Sequence, residues 1–98
     1  MEQRRTRRFK LQLALSITRT GSDRVTFSGH TKNISSSGVL FTAEREPELG
    51  GAIEYVITLN HEGSQSVNLR CMGKVLREDT PSAYAATLER YEFLREYA

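Results

Sequence analysis

The chain has one cysteine, two prolines, no tryptophan and no long apolar run, and each shortage removes a class of protein. A lone cysteine, Cys71, permits no internal disulfide, and without Cys or His near it at ligand spacing it argues against a metal site. A small buried hydrophobe is the better reading of it. No stretch approaches the roughly 18 to 20 apolar residues of a membrane-crossing helix. The opening residues MEQRRTRRFK lack the apolar core of a secretion signal, so a cytoplasmic domain with no membrane partner is expected. Glycine loops of the Walker or dinucleotide-binding type are missing, and so is the strand-Gly-x-Ser-x-Gly-helix elbow of a nucleophilic serine. Neither an enzyme nor a bound cofactor is expected.

A strong charge of one sign is lacking too. Fourteen Lys and Arg against 12 Asp and Glu leave a net charge of +2 over 98 residues, enough chain for one core and one domain. The distribution is uneven, however: Arg4, Arg5, Arg7, Arg8 and Lys10 crowd the first ten residues, while Glu44, Glu46 and Glu48 cluster mid-chain. Residues 1–10 therefore read as a flexible basic N-terminal arm on a nearly neutral body, 11–98, and point to a local anionic partner.

Along the body the dominant signal is alternation. Leu11, Leu13, Leu15 and Ile17 alternate with more polar neighbours, as do Ile53, Tyr55, Ile57 and Leu59, the period of half-buried strands. Thr20 to Asp23 reads as a turn, Arg24 to Ile34 and Val39 to Thr42 as strands about a Ser35–Gly38 bend, and Ala43 to Gly51 as a solvated loop. Asn60 to Ser64 reads as a hairpin connection, Ser66 to Arg77 as a long strand in which Gly73 marks a bulge or a close backbone approach, and Glu78 to Ser82 as a turn. After a strand over Ala83 to Leu88, Glu89 to Tyr97 is expected to form a short helix with Tyr91, Leu94 and Ala98 on one apolar stripe, packed on a barrel opening. The fold expected is all-β, a six-stranded antiparallel β-barrel with a short C-terminal helix.

Two motifs carry the chemistry. Arg4-x-x-x-Arg8 lies in the arm, and Asn33-x-Ser35-x-x-Gly38 spans the bend between the second and third strands. A guanidinium forks onto phosphate, pairs with guanine O6 and N7, or stacks on a base, whereas lysine offers charge alone. Asn33 offers an amide donor and a carbonyl acceptor, and Ser35 a hydroxyl that does either. Gly38 answers a backbone need, either φ > 0 or an approach that a Cβ would obstruct. Taken singly, each motif has a plainer explanation: a solvated basic tail, and a hairpin turn whose side chains bond their own backbone.

In combination, order and setting, the two motifs resemble the PilZ family over most of the chain, from about Arg4 to Leu94. The resemblance implies a cyclic di-GMP receptor in which Arg4, Arg8, Asn33, Ser35 and Gly38 bind the nucleotide. Arg5 and Arg7 add attraction, and the doubled arginines leave open which pair is engaged. It also implies an arm that orders on binding and a downstream protein partner or neighbouring domain. Two departures from the family pattern stand out. Ala83 to Leu88 lacks the glycine common near the end of the last strand, and Gln3 stands where a basic residue is frequent, which leaves open whether one nucleotide or an intercalated pair is held. A competing assignment is a small β-barrel that binds RNA or single-stranded DNA through its arm, and a third is a PilZ-like adaptor without ligand. His30 and His61 read as a solvent-facing strand residue and a turn residue, and Tyr91, Phe93 and Tyr97 as packing residues of the terminal helix.

Overall fold

The computed structural model describes residues 12–62 and 65–97. Seven strands follow one another: β1 (Ala14–Thr20), β2 (Asp23–Ile34), β3 (Gly38–Ala43), β4 (Ala52–Glu62), β5 (Gln65–Thr80), β6 (Ala83–Thr87) and β7 (Arg90–Tyr97). The sheet order is β4-β1-β2-β3-β6-β5-β7, and a further β4–β5 pairing closes the first six strands into an antiparallel barrel. Closure removes the barrel's free edges and leaves β7 outside the ring.

The alternation in sequence becomes the barrel lining. Leu15 and Ile17 on β1, Phe27 on β2, Val39 and Phe41 on β3, Ile53, Tyr55 and Ile57 on β4, Cys71 and Val75 on β5, and Tyr84 and Ala86 on β6 are buried in one cluster. Phe41 stands at its centre, with ring centroids 6.1 Å from Tyr55 and 6.0 Å from Tyr84. The Tyr55 hydroxyl reaches through the core to donate to the Thr87 carbonyl at 3.2 Å. Burial pushes the Cys71 thiol up to about 12 and raises the Tyr55 phenol as well, so both stay neutral core groups.

Several expectations are corrected. Glu89 to Tyr97 is not a helix: Arg90 to Tyr97 forms β7, paired with β5 from Gln65↔Tyr97 to Met72↔Arg90. The Tyr91 and Leu94 spacing satisfies a helical stripe, but Tyr91, Phe93 and Arg95 also alternate with Glu92 and Leu94. The first half of β5 supplies a strand edge that makes the second pattern the stable one, and no short isolated helix competes with a full ladder. Tyr91 and Phe93 accordingly do not pack a helix; they are 59% and 66% exposed. His61 lies in β4 opposite Ser66 and not in a turn, because the β4–β5 ladder runs on to Glu62↔Gln65 and narrows the connection expected over Asn60 to Ser64. Glu78 to Thr80 likewise continue β5. Between β3 and β4, Pro47 is buried although its glutamate neighbours are exposed, and Glu48 donates its N–H to the Thr20 hydroxyl at 2.7 Å. Gly73 serves close approach, not a bulge: it pairs with Ile53, and a Cβ there would run into the Thr87 carbonyl.

Candidate functional site

At the β2–β3 connection the ladder shifts register between Thr31 and Asn33, so that Thr31 faces Phe41 while Asn33 faces Leu40. This bulge carries the half-buried Asn33 side chain to the rim of the turn. Ser35 then closes the turn on itself. Its N–H donates to the Gly38 carbonyl at 2.9 Å, and its Oγ accepts from Gly38 N–H at 3.2 Å and Ser37 N–H at 3.3 Å. The hydroxyl proton has the Gly38 carbonyl at 3.2 Å or the Ser37 Oγ at 3.4 Å to choose from. Ser35 therefore both shapes the turn and lies on its surface, the plainer of the two roles its sequence suggested being present in full.

Gly38 is explained by approach and not by a left-handed φ, which among described glycines only Gly21 and Gly50 adopt. A Cβ on Gly38 would sit 2.9 Å from the Ala86 carbonyl oxygen on β6. A second tie, Leu88 N–H to the Ser37 carbonyl at 3.0 Å, holds the turn against the end of β6.

The turn and its neighbours enclose a cleft of about 280 Å³. Asn33, Ser35 and Gly38 form one wall, and Leu76, Arg77 and Asp79 of β5 contribute another. The β5 residues were not singled out in the sequence, although Leu76 falls on the outward side of an alternation whose inward members are Cys71, Gly73 and Val75. Leu76 is 57% exposed, an apolar surface that a planar base can cover. Arg77 is an exposed guanidinium whose Nη2 lies 3.5 Å from Asp79 Oδ1. That neighbour offsets its charge, so the described part of the cleft has the donors and the apolar floor for a nucleotide but little net positive charge for a dianion.

The arginines of the other motif, Arg4, Arg5, Arg7 and Arg8, lie outside the described residues. The point where their segment joins the barrel is fixed, because Leu13 donates its N–H to the Thr31 Oγ1 at 2.9 Å and accepts from Thr31 N–H at 2.9 Å. Thr31 precedes Asn33 by two positions, so the chain enters the barrel beside the cleft. The sequence model of one family, described as the PilZ domain, matches residues 2–95, a span that contains both motifs and all seven strands except the end of β7. The chain belongs to the PilZ domain family. PilZ domains are cyclic di-GMP-binding and effector modules, not enzymes. No curated protein and no solved structure matches this PilZ domain. Among its described residues no group of His, Cys, Asp and Glu is placed to hold a metal ion, His30 is exposed on β2, and no helix is long and apolar enough to cross a membrane.

Proposed function

We propose that this PilZ domain binds cyclic di-GMP at the Asn33–Gly38 cleft and signals by ordering its N-terminal arm over the bound nucleotide. The observation that carries the reading is convergence: the donors and acceptors of the β2–β3 turn, the apolar face of Leu76 and the Arg77 guanidinium line one cleft, at the place where the arginine-bearing segment enters the barrel. Leu13 follows Arg8 by five positions, a reach of up to about 17 Å in extended chain, ample for a guanidinium to come down on the cleft.

The cleft volume suits part of the ligand. Sites that enclose whole drug-sized molecules run from about 300 to 1,000 Å³, so 280 Å³ receives one guanine and its adjoining phosphate and leaves the rest of the dinucleotide facing outward. Arg4 and Arg8 then supply from above the charge the cleft lacks, forking onto phosphate or stacking on the second base. Asn33 and Ser35 orient the inner guanine edge, and Arg5 and Arg7 add attraction. Closure orders a basic arm at an entropic cost that weakens binding and makes a usable switch, read by a partner protein or a neighbouring domain.

Side-by-side calorimetric titration with cyclic di-GMP, GTP and a short single-stranded oligonucleotide tests the assignment. Saturable binding of cyclic di-GMP alone is expected; affinity that grows with oligonucleotide length and falls steeply with salt would transfer the arm to nucleic-acid binding. For the switch, timed tryptic digestion should show slower cleavage after Arg4, Arg5, Arg7 and Arg8 at saturating ligand, and equal cleavage with demonstrably bound ligand would rule it out.

A further inference from the structure

β7 ends the sheet, and among the described residues only β5 pairs with it. β6 and β7 lie successively along β5, but β3, which flanks β6, stops at the Gly38↔Thr87 pair, so β7 runs past it and no strand among the described residues covers its outer edge. Along an antiparallel strand alternate backbone N–H and C=O groups point away from the existing partner, and on an edge they form a template for another strand. Beside that edge stand the two most exposed aromatic rings described, Tyr91 and Phe93, at 59% and 66% exposure, edge to face with centroids 6.1 Å apart. Together the two rings give this edge a local apolar surface that a partner strand can cover.

The residue pattern selects the occupant. A natural edge is usually blunted by charge, and β7 carries Arg90, Glu92, Arg95 and Glu96. When two copies of one strand pair about a two-fold axis perpendicular to the sheet, each position faces one of equal parity, so the choices are few. An axis at Glu92 sets Glu92 against itself, and an axis at Leu94 sets Glu92 against position 96, also glutamate; both oppose like charges. An axis at Phe93 does the reverse. It places Phe93 against Phe93, Tyr91 against Arg95 twice, and the arginine at 90 against the glutamate at 96 twice. The rings of both copies then form one cluster flanked by guanidinium groups, and opposite charges meet at the ends.

We infer that β7 is a self-association strand: two copies of this chain pair antiparallel through their β7 edges in the register that puts Phe93 on the two-fold axis. The contact is narrow. A ladder over positions 90 to 96 belongs to the class of interfaces below about 1,200 Å² that exchange rapidly, so the dimer forms in the micromolar range or above and not as a permanent assembly.

Sedimentation equilibrium of the full chain from about 10 μM to 1 mM tests this. The weight-average mass is expected to rise from 11.1 kDa toward twice that value. Phe93→Lys, a change at a ring that is mostly solvated, should hold the mass at the monomer value at every concentration while leaving the melting curve near that of the parent. Arg90→Glu should weaken association at least tenfold, and Arg90→Glu combined with Glu96→Arg should restore it, an outcome no other register gives. A monomer throughout, with β7 amides protected from hydrogen exchange independently of concentration, would mean that the edge is covered by its own chain and would overturn the proposal. So would a dimer indifferent to Phe93→Lys, which would lie on another face.

Discussion

Gly38→Ala is the substitution whose consequences the structure specifies most closely. The new methyl would lie 2.9 Å from the Ala86 carbonyl oxygen, against 3.4 Å or more for an ordinary contact, and the neighbour is backbone paired on both sides and cannot rotate away. The turn and β6 must separate by about half an ångström, which strains Leu88 N–H to Ser37 O and the bonds that Ser35 makes to Gly38. Overpacking of this kind costs about 1 to 3 kcal/mol. In a domain of this size that lowers Tm by roughly 5 to 20 °C. The cleft wall moves with the turn, so cyclic di-GMP affinity should fall about tenfold, or 1.4 kcal/mol. Gly21→Ala provides the comparison. Gly21 sits at φ +61° in the β1–β2 turn, at the opposite end of β2, and a side chain in the left-handed region costs about 1 to 2 kcal/mol. Thermal unfolding by circular dichroism and titration at a temperature where both variants are fully folded separate the effects. Both should melt lower, and only Gly38→Ala should bind worse. Equal affinity in the two variants, whether both intact or both reduced, would refute the account of the cleft.

Arg8→Ala should weaken cyclic di-GMP binding more than tenfold, since a charge-assisted hydrogen bond to a partly desolvated phosphate contributes about 1.5 to 3 kcal/mol, and Arg8→Lys should be nearly as damaging because the fork is lost; titration showing parental affinity would remove Arg8 from the site. Asn33→Ala should narrow the preference for cyclic di-GMP over cyclic di-AMP, and unchanged discrimination in paired titrations would put guanine recognition elsewhere. The Cys71 thiol loses its proton near 9.0 when unfolded but only near about 12 in the fold, so the unfolded chain binds fewer protons over that window and stability should fall as pH rises through it, by up to about 1.36 kcal/mol per unit. Urea midpoints from pH 7 to 11 should decline above about 9, with a shallower decline in Cys71→Ala; a flat profile would contradict the burial of the thiol.

The barrel was legible because its lining is written in period two. Leu13, Leu15 and Ile17, and Ile53, Tyr55 and Ile57, are inward in sequence and in structure, and the pattern breaks at Leu59, where a register shift between Thr58 and Asn60 leaves that side chain exposed. The terminal segment was not legible because its residues fit two periods equally. What decides between them is the open edge of β5, a strand some 25 positions earlier in the chain. The cleft was half legible. Asn33, Ser35 and Gly38 are local and announce a turn, whereas Leu76, Arg77 and Asp79 join them only through the β3–β6–β5 pairing, which no short window of sequence contains. Ser35 was legible as a turn former, since its Oγ accepts from the Ser37 and Gly38 N–H groups as a hairpin serine does, and only its partners across the cleft lay beyond the local sequence.

The central claim is that cyclic di-GMP occupies the Asn33–Gly38 cleft under the motif arginines, and a nitrogen–proton correlation spectrum titrated with the nucleotide tests it residue by residue. The amides of Arg4 to Arg8, Ser35, Ser37, Gly38 and Arg77 should shift together and saturate at one concentration, while Gly21 and Ser22 at the far end of β2 stay in place. Shifts confined to other strands, or saturable binding that leaves Ser35 to Gly38 untouched, would contradict it.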